Sequence, residues 1–235
     1  MRNLTLAPGS LFAHRFEVLA LAGQGGMGAV YRAIDRYSGQ VVALKLLHES
    51  SGTSESERFV REAQLLSELQ HPGIVSYVAH GKSPDGQRFL AMEWLDGCDL
   101  SDRLAKGPLA VRDCITLIEQ AAAALAFAHR RGILHRDLTS NNVLVVPSES
   151  GPVVKVVDFG LAVEAECMDR SVVGTLLYIA PEIFRGGPAS ELSDLYAVGM
   201  MAYQMFTGSY PFSIENGSAA LLQQILSATP DLSSL

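Results

Sequence analysis

The sequence HRDLTSNN, residues 135–142, is a polar stretch that stands directly before a short apolar run. A second apolar run, Val153 to Val157, directly precedes Asp158. Asp137, Asn142 and Asp158 therefore place two carboxylates and an amide at the ends of two predicted strands. Such hard oxygen donors suit Mg²⁺ with nucleotide phosphates as further ligands. For either Asp taken alone, an Asx turn at the strand end is the competing interpretation.

A glycine-rich segment, residues 23–28, joins the first two of three short strands predicted near the N-terminus. Glycine lets the backbone approach a ligand and aim its N–H groups at phosphate oxygens. The spacing also matches a dinucleotide-binding fingerprint, but that motif needs a following helix, and residues 29–33 have the pattern of a strand. For this segment alone, a hairpin loop without a ligand is the alternative. The three predicted strands are Phe16 to Ala22, Ala29 to Asp35 and Val41 to Leu47.

Lys45 and Glu62 each carry a charge in an apolar pattern. Lys45 lies in an apolar strand, where a buried ammonium is costly without an anionic partner. Glu62 shares a helical stripe with leucines three, four and seven residues further on, which turns its carboxylate toward the core. We expect the two to form an ion pair, and a Lys45 that snorkels from an edge strand is the alternative.

The predicted fold class is α+β with two lobes. About 95 residues at the start predict five strands and one helix that opens with a capping box at Ser54 and stops before Pro72. Beyond them the sequence is mainly helical, with predicted helices from Leu109 to Arg131, from Asp194 to Thr207 and from Ala219 to Ser227.

Composition excludes several classes of protein. Of the 235 residues, 48% are hydrophobic and 18% charged, which predicts a packed globular chain. A net charge of −7 argues against nucleic acid as the main partner. The three cysteines form no C-x-x-C, which favours a reducing compartment, and no apolar run approaches the ~20 residues of a membrane span. The sequence therefore predicts a cytoplasmic segment without membrane contact.

Taken in order, these motifs resemble those of eukaryotic-like protein kinases, and the glycine loop is similar to that of the bacterial serine/threonine branch. The resemblance runs from about residue 16 to the end of the chain. It implies a bilobal kinase fold with an N-terminal extension (1–15), an N-lobe (16–93) and a C-lobe (94–235). The matching motifs are the glycine loop, Val42-Ala43-Leu44-Lys45, Glu62, His135-Arg136-Asp137, Asn142, Asp158-Phe159-Gly160 and Ala180-Pro181-Glu182.

The resemblance also implies the cofactors, ATP and Mg²⁺, and the catalytic roles. Lys45, paired with Glu62, would hold the α- and β-phosphates. Asn142 and Asp158 would bind Mg²⁺, and Asp137 would orient the substrate hydroxyl. Glu93-Trp94-Leu95 would bind adenine, with Met92 guarding the pocket behind it. The residues implied to contact the nucleotide are Gly23, Gln24, Gly25, Gly26, Met27, Gly28, Val30, Ala43, Lys45, Glu93, Leu95, Leu144 and Asp158.

The implied activity is phosphorylation of serine and threonine hydroxyls in protein substrates, as part of signalling. It includes autophosphorylation, for which copies of the chain would associate with each other. Gly174-Thr175 is similar to the serine/threonine-specific docking segment. Arg136 suggests control by phosphate on Ser171. Asp194 resembles a buried Asp that hydrogen-bonds the catalytic loop, and a helix N-cap is its equally weighted alternative.

Two features depart from the family pattern. Thr139 stands where serine/threonine kinases carry a Lys, so one positive charge is missing beside the transferring phosphoryl group. By the same resemblance, we expect the family's last helices to be absent from this sequence. A weakly active pseudokinase scaffold is therefore the main alternative, ahead of an aminoglycoside-kinase-like phosphotransferase and a dinucleotide-binding oxidoreductase.

Overall fold

The structure is a computed structural model that describes residues 6–25, 28–47, 63, 66–149, 151–159, 173–215 and 217–233. The chain divides into two compact units. The first comprises Met1–Gln70 with Val75–Leu95, and the second comprises His71–Ile74 with Asp96–Leu235.

The first unit is built on an antiparallel sheet of six strands in the order β1-β2-β3-β4-β6-β5. Side chains of β4 alternate between the two faces, as the period of a strand requires, and Val42, Leu44 and Leu46 are buried in the core of this unit. The strands are β1 (Leu11–Phe12), β2 (Phe16–Gly25), β3 (Gly28–Asp35), β4 (Val41–Leu47), β5 (Tyr77–Lys82) and β6 (Arg88–Glu93).

Strand β1 is the one strand of this sheet that the sequence did not predict, because two residues are too short to show an alternating pattern. It pairs with the start of β2, and its Phe12 ring packs edge-on against Phe89 at a centroid distance of 5.4 Å. Phe16 meets the same ring at 5.4 Å. Residues before Phe16 therefore contribute to the core of the first unit.

A partly buried ion pair joins the residue before β2 to the last residue of β3. Arg15 donates from Nε and Nη2 to the two carboxylate oxygens of Asp35 at 2.7 and 2.8 Å. Asp35 is 1% exposed, and its hydrogen bonds with Arg15, Tyr37 and Ser38 lower its pKa to about 2. This bidentate geometry fixes the position of Arg15, before β2, relative to Asp35 at the end of β3.

The second unit is mainly helical and carries a three-stranded antiparallel sheet in the order β7-β8-β9. Its helices are α1 (Leu100–Ala105), α2 (Val111–His129), α3 (Val173–Leu176), α4 (Pro181–Phe184), α5 (Glu191–Thr207) and α6 (Gly217–Ser227). Its strands are β7 (Cys98–Asp99), β8 (Val143–Val146) and β9 (Val153–Val156), and a 3₁₀ turn at Ser140–Asn142 leads into β8.

Helix α5 begins three residues before its predicted start, because the signal for its N-terminus is a serine pair. The Ser190 hydroxyl accepts from the Ser193 N–H, and the Ser193 hydroxyl accepts from the Ser190 N–H, which forms a capping box. The helix ends at Gly208, whose φ of 73° is left-handed. Asp194 therefore lies inside the first turn, and the N-cap alternative for it is wrong.

Across the part of the chain that the structure describes, no helix combines the length and the apolar character needed to cross a membrane.

Candidate active site

Gly23 and Gly25 lie at the end of β2 and Gly28 begins β3, with Gly25 opposite Gly28. A strand follows the glycines, so the dinucleotide-binding motif, which needs a helix there, is excluded. Gly28 has a φ of 146°, and a Cβ added to it would overlap the Leu46 carbonyl oxygen. Position 28 therefore requires glycine, because β3 and β4 approach each other too closely there for a side chain. Gly23 and Gly25 have open space beside their Cα atoms.

Lys45 is 5% exposed on β4, which lies between β3 and β6. The alternative of a lysine snorkelling from an edge strand is therefore wrong. Its predicted partner Glu62 lies outside the described residues, so the ion pair stays a prediction. Val30 is the cross-strand neighbour of Lys45 on β3, and Ala43 lies two residues before it on the same strand.

The predicted adenine-binding segment begins at the end of β6. Glu93 donates its N–H to the Ser76 carbonyl at 2.9 Å, and its carboxylate accepts from the Ser76 N–H at 2.8 Å. This reciprocal pair fixes the backbone of Glu93. Met92 is 8% exposed and contributes to packing, while the Trp94 ring lies 5.4 Å from the Arg32 guanidinium carbon.

In the second unit, the segment from Asp137 to Asn142 is closed on itself. The Asn142 side-chain nitrogen donates to the Asp137 carbonyl oxygen at 2.6 Å, and the Asn142 N–H donates to the Thr139 carbonyl at 3.0 Å. Because its amide nitrogen donates inward, the amide oxygen is the atom that Asn142 can offer to a cation.

The β8–β9 hairpin brings Asn142 and Asp158 to one end of the small sheet. Val143 pairs with Val156, and the Val157 N–H donates to the Asn142 carbonyl at 3.0 Å. Asp158 follows with a φ of 63°, a left-handed conformation that costs free energy in a residue other than glycine. An amide and a carboxylate at one sheet end form a hard-oxygen donor set that fits a divalent cation.

Leu144, predicted to contact the nucleotide, lies on β8 opposite Lys155 and Asp99. The second unit therefore holds four of the predicted site residues in one loop and one hairpin: Asp137, Asn142, Leu144 and Asp158.

Asp194 anchors the residues before Asp137 to helix α5. Its carboxylate accepts from the N–H groups of His135 at 2.8 Å and Arg136 at 3.0 Å. His129 Nε2 makes a third hydrogen bond, at 2.8 Å. Arg136 has a φ of 68°, and its anchored N–H holds the residue in that left-handed conformation. The structure thus places Asp194 in the role expected from the resemblance.

His135 connects this loop to the segment before Asp158. Its ring is fully buried, which lowers its pKa, and Nε2 lies 2.8 Å from the Val157 carbonyl oxygen. A neutral ring protonated at Nε2 donates this bond. The His135 ring also packs against Phe159, with centroids 4.8 Å apart.

Some predicted site residues lie outside the described part of the chain: Gly26, Met27, Glu62, Gly160 and Ser171. Sequence reasoning also missed one polar contact beside the loop, between Ser140 and Tyr178. Neither residue carries a sequence signal that links them, because they are 38 positions apart.

The family model described as "Protein kinase domain" matches residues 16–232. A DNA damage-responsive serine/threonine-protein kinase of Deinococcus radiodurans, RqkA, is 40% identical over 97% of this chain and 35% of its own length. Serine/threonine-protein kinase PrkC of Bacillus subtilis is 34% identical over 94% of this chain and 35% of its own length. The chain thus spans little more than a third of the length of these curated relatives.

The crystal structure of the Mycobacterium tuberculosis PknI kinase domain has a similar fold, with a TM-score of 0.73 and 28% identity. The similarity covers 96% of this chain and 93% of that one. These matches confirm the predicted kinase fold and exclude the dinucleotide-binding oxidoreductase. The family implies the use of ATP and a divalent metal ion. With its family model matched from residue 16 to residue 232, the chain belongs to the protein kinase family.

Proposed function

We propose that this domain is a serine/threonine protein kinase that transfers the γ-phosphate of ATP to hydroxyls of protein substrates, including other copies of itself. The observation that carries the proposal is the closed loop in which the Asn142 amide binds the Asp137 carbonyl at 2.6 Å. This hydrogen bond and the β8–β9 hairpin give Asp137, Asn142 and Asp158 fixed backbone positions. Relatives named serine/threonine-protein kinases support the choice of hydroxyl.

When bound, ATP supplies the phosphoryl group, and a divalent ion, which we propose is Mg²⁺, neutralises its charge. The Asn142 amide oxygen and the Asp158 carboxylate would hold the ion. Asp137 would orient the substrate hydroxyl and accept its proton. Catalysis would then rest on positioning and charge neutralisation, without a covalent enzyme intermediate.

In the first unit, Lys45 would contact the α- and β-phosphates while paired with Glu62. Backbone N–H groups of residues 23–28 would cover the triphosphate. The backbone of Glu93 and Leu95 would bind adenine, and the apolar side chains of Val30, Ala43 and Leu144 would pack on its ring. Polar contacts would set the orientation of the base, while apolar contacts supply buried area.

A weakly active scaffold is the second candidate, and Thr139 is the residue that favours it. Thr139 precedes the 3₁₀ turn, and its side chain makes no capping hydrogen bond there. It supplies no positive charge to the transferring group. Against this candidate stand Lys45, Asp137, Asn142 and Asp158, four of the side chains that act in phosphoryl transfer. A signalling role in the cytoplasm is part of the proposal.

The test uses labelled ATP, Mg²⁺ and three peptides that differ only in a serine, threonine or tyrosine at the acceptor position. We expect label on the serine and threonine peptides and loss of that label when EDTA removes the metal. Label on the tyrosine peptide alone would contradict the specificity. Absence of any transfer from a nucleotide-binding protein would favour the scaffold.

A further inference from the structure

The Tyr178 hydroxyl lies among three polar side chains of the second unit. It is 3.1 Å from Ser140 Oγ, 3.2 Å from Gln204 Oε1 and 3.5 Å from the Tyr210 hydroxyl. Ser140 is 3% exposed and Tyr178 is 6% exposed, so water cannot readily replace these partners. The Tyr210 ring packs edge-on against Tyr178, with centroids 6.2 Å apart.

The number of protons available identifies the donor and the acceptor in each of these hydrogen bonds. The Gln204 amide oxygen can only accept, and the Tyr178 hydroxyl has one proton to donate. Both short contacts are therefore satisfied together when Tyr178 donates to Gln204 and accepts from the Ser140 hydroxyl. Burial raises the pKa of Tyr178, which keeps its proton in place at neutral pH.

The hydrogen bonds that link Ser140, Tyr178 and Gln204 end on α5, the helix that also carries Asp194. Asp194, near the start of α5, holds the two residues before Asp137 by their N–H groups. Gln204, near the end of α5, holds Ser140, three residues after Asp137, through Tyr178. Helix α5 therefore fixes the loop on both sides of Asp137.

Ser140 is also the first residue of the 3₁₀ turn that ends at Asn142. Asn142 in turn binds the Asp137 carbonyl. Loss of the Ser140 contact would loosen the turn at its start, and with it the backbone that carries both Asp137 and Asn142. A misplacement of about 1 Å at a reacting group lowers the rate by about 100-fold, so a small displacement has a measurable effect.

We propose that Ser140 and Tyr178 are positioning residues for phosphoryl transfer, which hold Asp137 in place by joining the catalytic loop to Gln204 of α5. This inference rests on the proposed kinase function. Neither residue contacts the reacting atoms in this role, so both act on turnover and not on nucleotide affinity.

The test compares kcat and the KM for ATP in the full chain and in Ser140→Ala, Tyr178→Phe and their double variant. Tyr203→Phe is the matched control, because it removes a tyrosine hydroxyl from α5, the helix that carries Gln204. The Tyr203 hydroxyl donates to the Asp231 carbonyl and not to the Ser140–Tyr178–Gln204 cluster. We expect each single variant to lower kcat about tenfold with the KM for ATP within twofold. The double variant should be no slower than the slower single variant, because the two hydroxyls act as one unit.

Three results would overturn the inference. The first is a kcat of Ser140→Ala within twofold of the unaltered chain, and the second is a double variant whose effect equals the product of the single effects. The third is a fall in kcat accompanied by a raised KM for ATP and a lowered melting temperature, which assigns Ser140 a structural role alone. Failure of the unaltered chain to transfer phosphate would instead overturn the proposed function, and the inference with it.

Discussion

The carboxylate of Asp194 accepts the backbone N–H of Arg136 at 3.0 Å, and Arg136 immediately precedes Asp137. Asp194 is 2% exposed, and its carboxylate makes two further hydrogen bonds, with His129 Nε2 and with the His135 N–H. The buried carboxylate therefore has three hydrogen-bond partners. A left-handed Arg136 persists because this anchor offsets its strain. The conformation of the catalytic loop therefore depends on one helix residue 58 positions after Arg136.

Asp194→Asn should destabilise the protein. The asparagine side chain has one oxygen that accepts hydrogen bonds, where the aspartate has two. Its NH₂ group would face a backbone N–H, so a buried donor would be left without an acceptor. We expect a loss of about 3 kcal/mol in the free energy of unfolding. Urea unfolding measures this loss, and the control is Asp102→Asn at an exposed position of α1, which we expect to change the free energy of unfolding by no more than about 0.5 kcal/mol. Equal losses in the two variants would contradict the anchoring role.

The Asp35–Arg15 pair should make stability depend on pH at the acid end. The pKa of Asp35 is lowered to about 2 from 3.8, so its contribution is present above about pH 4 and is lost as the pH falls through 2. Asp35→Asn should therefore cost about 2 kcal/mol at pH 7 and progressively less below pH 4. Unfolding at pH 7, 4 and 3 measures this.

Glu17→Gln is the control for the pair, because Glu17 makes an exposed ion pair with Arg36 at 3.0 Å. Exposed pairs contribute about 0–1 kcal/mol. A pH-independent difference between the unaltered chain and Asp35→Asn would show that the ion pair is not the source of its stability.

Thr139→Lys should raise turnover on serine peptides. A lysine there adds positive charge beside the transferring phosphoryl group, where fixed charge lowers the barrier. We expect an increase of roughly tenfold in kcat in steady-state assays. Thr116→Lys places the same charge on α2 and should leave kcat unchanged. A clear loss of activity in Thr139→Lys would show that Thr139 has another role.

Ser171→Ala should remove activation by phosphorylation. Phosphate on Ser171 is expected to pair with Arg136, so the alanine variant should keep the rate of the unphosphorylated protein. Comparing rates before and after phosphorylation measures this, with Ser148→Ala in the exposed β8–β9 turn as the control. Unchanged activation in Ser171→Ala would refute the prediction.

Much of the fold could be predicted because its signals are local. The apolar run Val41 to Leu47 predicts β4, and the strand predicted after the glycines is β3. Strand β1 has only two residues, and the Ser190 capping box replaces the predicted start of α5. The division into 1–15, 16–93 and 94–235 stays a prediction.

The site was less accessible to sequence reasoning where it depends on distant contacts. Asp137, Asn142 and Asp158 could be selected because each is a polar residue beside an apolar run. Ser140 lies in the same polar stretch, but its role could not be predicted, because its partner Tyr178, and Gln204 beyond it, come from later segments that only the folded chain brings together. Asp194 was found through the resemblance, and only the structure decided against its N-cap alternative.

In the proposed function, Asp137 is required for phosphoryl transfer but not for the binding of ATP. The most direct measurement is the rate of phosphate transfer from labelled ATP by the unaltered chain and by Asp137→Asn, with ATP binding followed in parallel. Asp85→Asn, in an exposed turn of the first unit, is the control. We predict that Asp137→Asn binds ATP within twofold of the unaltered chain but transfers phosphate at least 100 times more slowly. Transfer by Asp137→Asn at the rate of the unaltered chain would show that Asp137 is not required for phosphoryl transfer.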